Sequence, residues 1–199
     1  MMAAVFLTLK CPLFAQGEKA SPKVDKNSEA AASVQSKIAA WRLGVSLGLG
    51  IALRDAGAED EAKRYFGMAD GLARALGLGA LNVPEKKENK AKSSARMLGY
   101  ILQDEQKLAF NLTHKYGAPH AATYTAGVKT MLFLLLYSAE GKEMNQNLMH
   151  GTEDAAHAAQ IPIELWEPLF KLIRNSASYS DVKGEVLMME EKVEAALEK

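Results

Sequence analysis

Cysteine is nearly absent from this chain of 199 residues: Cys11 is the only one. A chain of this length can bury a core without disulfides or a structural metal, and one domain is expected. Acidic and basic residues balance at 24 each, so no net charge attracts nucleic acid or an anionic membrane. We therefore predict no nucleic-acid partner.

Long apolar runs and β-branched residues are also scarce. After the N-terminus the longest apolar run, Met131 to Tyr137, falls far short of the roughly 20 residues that cross a bilayer, so no membrane span is predicted in the mature chain. Ala, Leu, Met, Glu and Lys dominate, which favours helices throughout. The glycines lie inside apolar helical stretches rather than between a strand and a helix, which excludes phosphate-binding loops.

The first fifteen residues differ from the rest. An apolar run from Ala3 to Leu9 is followed by Leu13-Phe14-Ala15 and then Gln16, a pattern typical of a signal peptide. The segment departs from that pattern because no basic residue precedes the run and Lys10 interrupts it. Lys10 also stands where a lipoprotein needs a small residue before the cysteine. We predict a signal peptide over 1–15, loss of Cys11 on cleavage, and a secreted or periplasmic protein.

The remainder divides into a flexible polar leader over 16–35 and a single all-helical domain over 36–199. About six or seven helices are expected, in antiparallel hairpins that form a tetratricopeptide-like or a bundle arrangement. The second helix is predicted from Glu59 to Leu76, the fourth ends near Gly141, the fifth runs from Lys142 to Gln160, and the last follows Ser180. The third helix has its core face at Leu98, Ile101, Leu102, Leu108 and Leu112.

Residues 46–74 carry the most informative pattern. Small and large residues alternate here as they do where two antiparallel helices touch, at Leu49, Gly50, Leu53, Gly57, Ala62, Phe66 and Ala69. The pattern resembles the tetratricopeptide repeat through Leu49-Gly50 and the Ala62-x3-Phe66 spacing. Ser46 replaces the family's Trp, Leu53 replaces its Tyr, and the late Pro is absent. The resemblance implies a helical hairpin in which Gly50 lies close to Phe66, in a class of module that binds proteins.

The stretch 122–161 has residues in common with 39–78. Without a gap, six residues of the first helix align with six of the fourth: Ala39, Trp41, Gly44, Val45, Leu49 and Leu53 with Ala122, Tyr124, Gly127, Val128, Leu132 and Leu136. Ala73 and Ala75 fall on Ala156 and Ala158. Both halves are rich in Ala and Leu, so either a duplication or chance explains the match.

Candidate chemistry is sparse. One side of the fifth helix carries His150, Asp154 and His157 at helical spacing. Two interpretations fit this pattern: a solvated helix face, or part of a metal site. No Glu-x-x-His motif on another helix completes a ligand set. His114 and His120 are interpreted as caps of helix carbonyls. We predict no catalytic, cofactor-binding or metal-ligating residue, and no cofactor.

Two functions remain open from the sequence. The first is an exported, non-enzymatic helical scaffold that binds a protein or peptide partner, with self-association as a further use of open-ended hairpin arrays. The second is a helical bundle that binds a metal or a small ligand near His150 and His157. The arrangement of the hairpins in space distinguishes them.

Overall fold

The computed structural model describes residues 26–55, 57–81, 106–139 and 142–199. Within these ranges all regular structure is helical, which confirms the predicted all-α class. The elements in chain order are α1 (Lys26–Asp55), α2 (Glu59–Ala75), α3 (106–116), α4 (Ala118–Ala139), α5 (Lys142–Ala159), a 3₁₀ turn (Ile163–Trp166), α6 (Glu167–Arg174) and α7 (Tyr179–Leu197). The predicted signal peptide, Cys11, Leu98, Ile101 and Leu102 lie outside the described residues.

The first helix begins earlier than the sequence predicted. α1 starts at Lys26, so residues 26–35, assigned above to a flexible leader, are helical. Ala30, Ala31 and Ala32 have the highest helix propensity of any residue type, and they continue directly into the buried part of α1. The polar composition of the leader was therefore a poor guide beyond residue 25.

α1 is the central element of the fold. Its side chains are buried almost all round from Ala40 to Ala52, and it packs against α2, α4 and α7. The stretch Ala32–Arg54 is the one part of the described chain that is long and apolar enough to cross a membrane by length and composition, and 72% of its apolar 18-residue window is buried inside the fold. Such a helix has apolar residues on every side because it has neighbours on every side.

The contact between α1 and α4 depends on two glycines. A Cβ at Gly127 would lie 2.8 Å from the Trp41 carbonyl oxygen and 3.1 Å from the Val45 nitrogen. A Cβ at Gly44 would meet the carbonyl of Tyr124 and lie 3.0 Å from the nitrogen of Val128. The backbones of the two helices therefore touch where neither residue has a side chain, which is closer than larger residues permit.

The hairpin of α1 and α2 has the predicted contact. A Cβ at Gly50 would lie 2.6 Å from the ring of Phe66, so the ring fills the space beside this glycine. The inner face of α2 is otherwise lined by small buried residues, Ala62, Ala69 and Ala73. Gly57 has a positive φ of 84° between the helices, as expected for a residue that ends a helix.

The second helices of the two hairpins, α2 and α5, end with the same backbone geometry. The equivalent residues are 83 positions apart, which is also the spacing between Gly44 and Gly127. α2 ends with Gly77 donating to the Arg74 carbonyl at 2.8 Å and Leu78 donating to the Ala73 carbonyl at 2.9 Å. α5 ends in the same way at the same offset: Gln160 and Ile161 donate to the carbonyls of His157 and Ala156, at 3.0 and 2.9 Å. Gly77 and Gln160 both have positive φ, 65° and 60°.

The last two helices close the core over the hairpins. Trp166, in the 3₁₀ turn, is fully buried, donates from Nε1 to Thr130 Oγ1 at 2.9 Å, and meets Trp41 edge-on with ring centroids 6.2 Å apart. α7 is capped by Ser178, whose Oγ accepts from the Asp181 nitrogen, so the helix begins before the Ser180 boundary predicted above. Its inner face consists of Val182, Glu185, Val186, Met189 and Val193.

Candidate functional site

The histidines predicted to lie on one side of α5 are at the protein surface. His150, Asp154 and His157 are all exposed, and His150 Nδ1 lies 3.1 Å from Glu153 Oε2, one turn along the same helix. In the ranges covered by the structure, no group of three His, Cys, Asp or Glu side chains is placed to hold a metal ion. The metal alternative therefore gains no three-residue ligand set from these ranges.

A partly buried charge cluster joins α1 to α7. Arg42 donates from Nε and Nη2 to the two carboxylate oxygens of Glu194, at 2.6 and 2.7 Å. This paired geometry raises the pKa of Arg42, and burial together with the neighbouring Glu194 raises the pKa of Glu190. A planar guanidinium held through two of its three nitrogens fixes the orientation of the helices, so the cluster has a structural role.

A serine and a histidine meet where α1 and α4 begin to pack. Ser36 Oγ lies 2.8 Å from His120 Nε2 and 2.8 Å from the Ser33 carbonyl, to which it donates. His120 is 6% exposed, and burial, followed by the charge of Lys37, lowers its pKa. A serine beside a neutral histidine is the beginning of a nucleophilic pair, but no carboxylate among the described residues is bonded to this imidazole. The pair therefore joins two helices.

The two histidines predicted as caps, His114 and His120, lie on either side of the break between α3 and α4. His114 Nδ1 lies 3.3 Å from the Phe110 carbonyl within α3. His120 lies in the first turn of α4, where burial lowers its pKa and a hydrogen bond with the backbone of Tyr116, the last residue of α3, acts in the opposite direction. The free carbonyl of Leu76 after α2 accepts from Lys115 Nζ at 2.7 Å and from Tyr116 Oη at 3.0 Å. A lysine and a tyrosine of α3 therefore satisfy the end of α2, which is a different helix end from the one that His114 and His120 flank.

A surface groove runs along α6 on the side of α5. It has a volume of about 710 Å³ and comprises Glu153, Ile163, Glu164, Glu167, Pro168, Phe170, Lys171 and Arg174. We call it the α5–α6 groove. Phe170 is buried beneath it and contacts Phe133 of α4, with ring centroids 5.9 Å apart. The groove therefore lies on a fixed part of the core.

The charges of the α5–α6 groove follow from the helical repeat. Glu164, Glu167, Lys171 and Arg174 are exposed and recur every three or four residues, so they form one outward stripe with carboxylates at its start and cations at its end. Pro168 and Ile163 supply apolar surface beside the stripe. Apolar surface beside charges of both signs is a common feature of grooves that recognise peptide segments.

The sequence did not predict this groove. The spacing of Glu164, Glu167, Lys171 and Arg174 in the sequence indicates a charged helix face. The groove itself depends on the distance between α5 and α6, which the sequence alone does not predict.

No protein-family model, curated protein or solved structure matches this chain. The tetratricopeptide resemblance of residues 46–74 stays a prediction.

Proposed function

We propose that this protein is an exported, non-enzymatic helical scaffold that binds a short segment of a partner protein in the α5–α6 groove. The observation that carries the proposal is the groove itself, in which apolar surface lies beside a charged stripe along the 3₁₀ turn and α6. Its volume of about 710 Å³ falls within the rough range of 300–1,000 Å³ for ligand sites. Export rests on the signal-like residues 1–15.

The polar clusters of the fold support a scaffold. Arg42 and Glu194 fix α7 to α1, and Ser36 and His120 join α1 to α4. Lys115 closes the end of α2 from α3. Each cluster connects two helices, so each has a structural reason to exist.

The charge of the α5–α6 groove selects its occupant. Three carboxylates, Glu153, Glu164 and Glu167, face two cations, Lys171 and Arg174. The excess of negative charge favours a segment whose apolar residue, placed against Ile163 and Pro168, is followed by Lys or Arg. We therefore propose a peptide of mixed apolar and basic character as the occupant.

A peptide-display selection on the purified full chain tests this proposal. We expect the selected peptides to share an apolar residue next to Lys or Arg, and their affinity for the protein to be measurable by fluorescence anisotropy. Glu164→Lys should weaken binding about tenfold, because it removes an attraction and adds a repulsion. Glu61→Lys on α2, which makes the same charge change at another exposed site, is the matched control. Peptides of no common character, or equal binding by both variants, would reject the groove as the site.

A further inference from the structure

The outward face of α7 carries an apolar patch in an otherwise charged helix. Leu187 is 46% exposed and Met188 51% exposed, although both are large apolar side chains. Gly184 lies one turn before Met188, and a Cβ there would meet nothing within 4 Å. Ala195 continues the exposed face towards the C-terminus. Helices of soluble proteins usually place such residues inward, so a covering surface is expected.

The charges on this face change sign along the helix. Lys183 lies before Leu187, and Glu191 lies after it at the same distance along the helix. Both are exposed, and neither forms an ion pair with any residue in the described ranges. Glu198 adds to the negative end, whereas Glu194 is already paired with Arg42 of α1. A surface of this kind complements itself when it is turned end for end.

We propose that α7 is the interface of a homodimer, in which two copies pair their α7 helices antiparallel about a two-fold axis at Leu187. In that register each Leu187 meets the other, and each Lys183 lies level with Glu191 of the other copy. The missing side chain at Gly184 leaves room for Met188 of the other copy. A parallel pair would instead bring Glu191 against Glu191, which disfavours it.

The size of the interface sets its strength. α7 has 19 residues, so the paired segment spans roughly 28 Å at 1.5 Å per residue. One helix pair lies at the small end of specific interfaces, which makes a dimer that dissociates on dilution. This inference goes beyond the proposed function, because none of its residues lines the α5–α6 groove.

Charge reversal on the full chain tests both the partner and the register. In sedimentation equilibrium we expect the wild type to show a monomer–dimer equilibrium. Lys183→Glu and Glu191→Lys should each weaken the dimer about tenfold, because each places like charges opposite one another twice by symmetry. An equimolar mixture of the two variants should recover wild-type affinity as a heterodimer, because only the mixed pair restores both ion pairs.

The controls separate this result from misfolding and from the groove. Glu61→Lys should leave the dimer unchanged, and Glu164→Lys should affect peptide binding but not sedimentation. Recovery in the mixture cannot come from misfolded chains. A wild type that is monomeric at every concentration, a dimer insensitive to Lys183→Glu, or a mixture that stays monomeric would each overturn the proposal.

Discussion

The two helical hairpins, α1 with α2 and α4 with α5, share a backbone arrangement but place their large side chains differently. In the first, Gly50 of α1 leaves space that Phe66 of α2 fills. In the second, the position equivalent to Gly50 is Phe133, which is fully buried and contacts Phe170 of α6. In the second hairpin the large ring therefore comes from α4, the first helix of the hairpin, and extends the core towards α6.

The largest effect is expected where the hairpins meet. Gly44→Ala and Gly127→Ala each add a methyl group within about 3 Å of the opposing backbone, so the helices must separate. We expect each to lower the free energy of unfolding by about 2 kcal/mol, despite the better helix propensity of Ala. Similar losses at both sites, measured by urea denaturation, would show that the contact is reciprocal.

Gly67→Ala is the matched control for these substitutions. Gly67 is exposed in the middle of α2, and a Cβ there would meet nothing within 4 Å. Only the difference in helix propensity then matters, so the free energy of unfolding of the variant should rise by roughly 0.5–1 kcal/mol. If Gly44→Ala behaved like Gly67→Ala, the close contact of α1 with α4 would be disproved.

Substitutions at the ends of α2 and α5 should change the stability of the protein in opposite directions. Gly77→Ala forces a side chain into a left-handed conformation and should cost about 1 kcal/mol, whereas Gln160→Gly relieves the same conformation and should gain a similar amount. The Cβ at Gly77 would also displace the Lys115 amine, a flexible group that can move. The thermal unfolding midpoints of the two variants measure these effects. Shifts of the same sign would show that the two turns are not equivalent.

The sequence predicted the helices well because their signals are local. Glycine and proline mark the ends of α2, α4 and α6, and Phe66 could be paired with Gly50 because the turn between their helices is short. The start of α1 was misplaced because polar composition was weighed above the helix propensity of Ala30 to Ala32.

The contacts between distant segments could not be predicted. Arg42 with Glu194, and Ser36 with His120, join residues far apart in sequence, and nothing in their local patterns indicates a partner. The equivalence of Gly44 and Gly127 was visible in the alignment of the two halves. Only the structure shows that these two glycines touch.

The smallest effect is expected where α1 meets the first turn of α4, with Lys37 of α1 at the position equivalent to His120 of α4. Burial and the charge of Lys37 lower the pKa of His120 below its ordinary value of 6.5. The unfolded chain therefore binds this proton more readily, so stability is full above pH 6.5 and is lost as the pH falls through the folded pKa. His120→Gln should remove that part of the pH dependence.

Replacing Lys37 sharpens the comparison further. Ser36 Oγ is 2.8 Å from the imidazole, the Tyr116 ring is stacked on it at 5.2 Å, and the charge of Lys37 acts on it, while Lys115 lies over the Tyr116 ring. Lys37→Gln removes the nearby positive charge and keeps the length of the side chain, so the pKa of His120 should rise. An NMR titration of its ring protons measures the change, with Lys63→Gln on the exposed side of α2 as the control. A pKa that does not move would assign the whole depression to burial and leave Lys37 without a role at this contact.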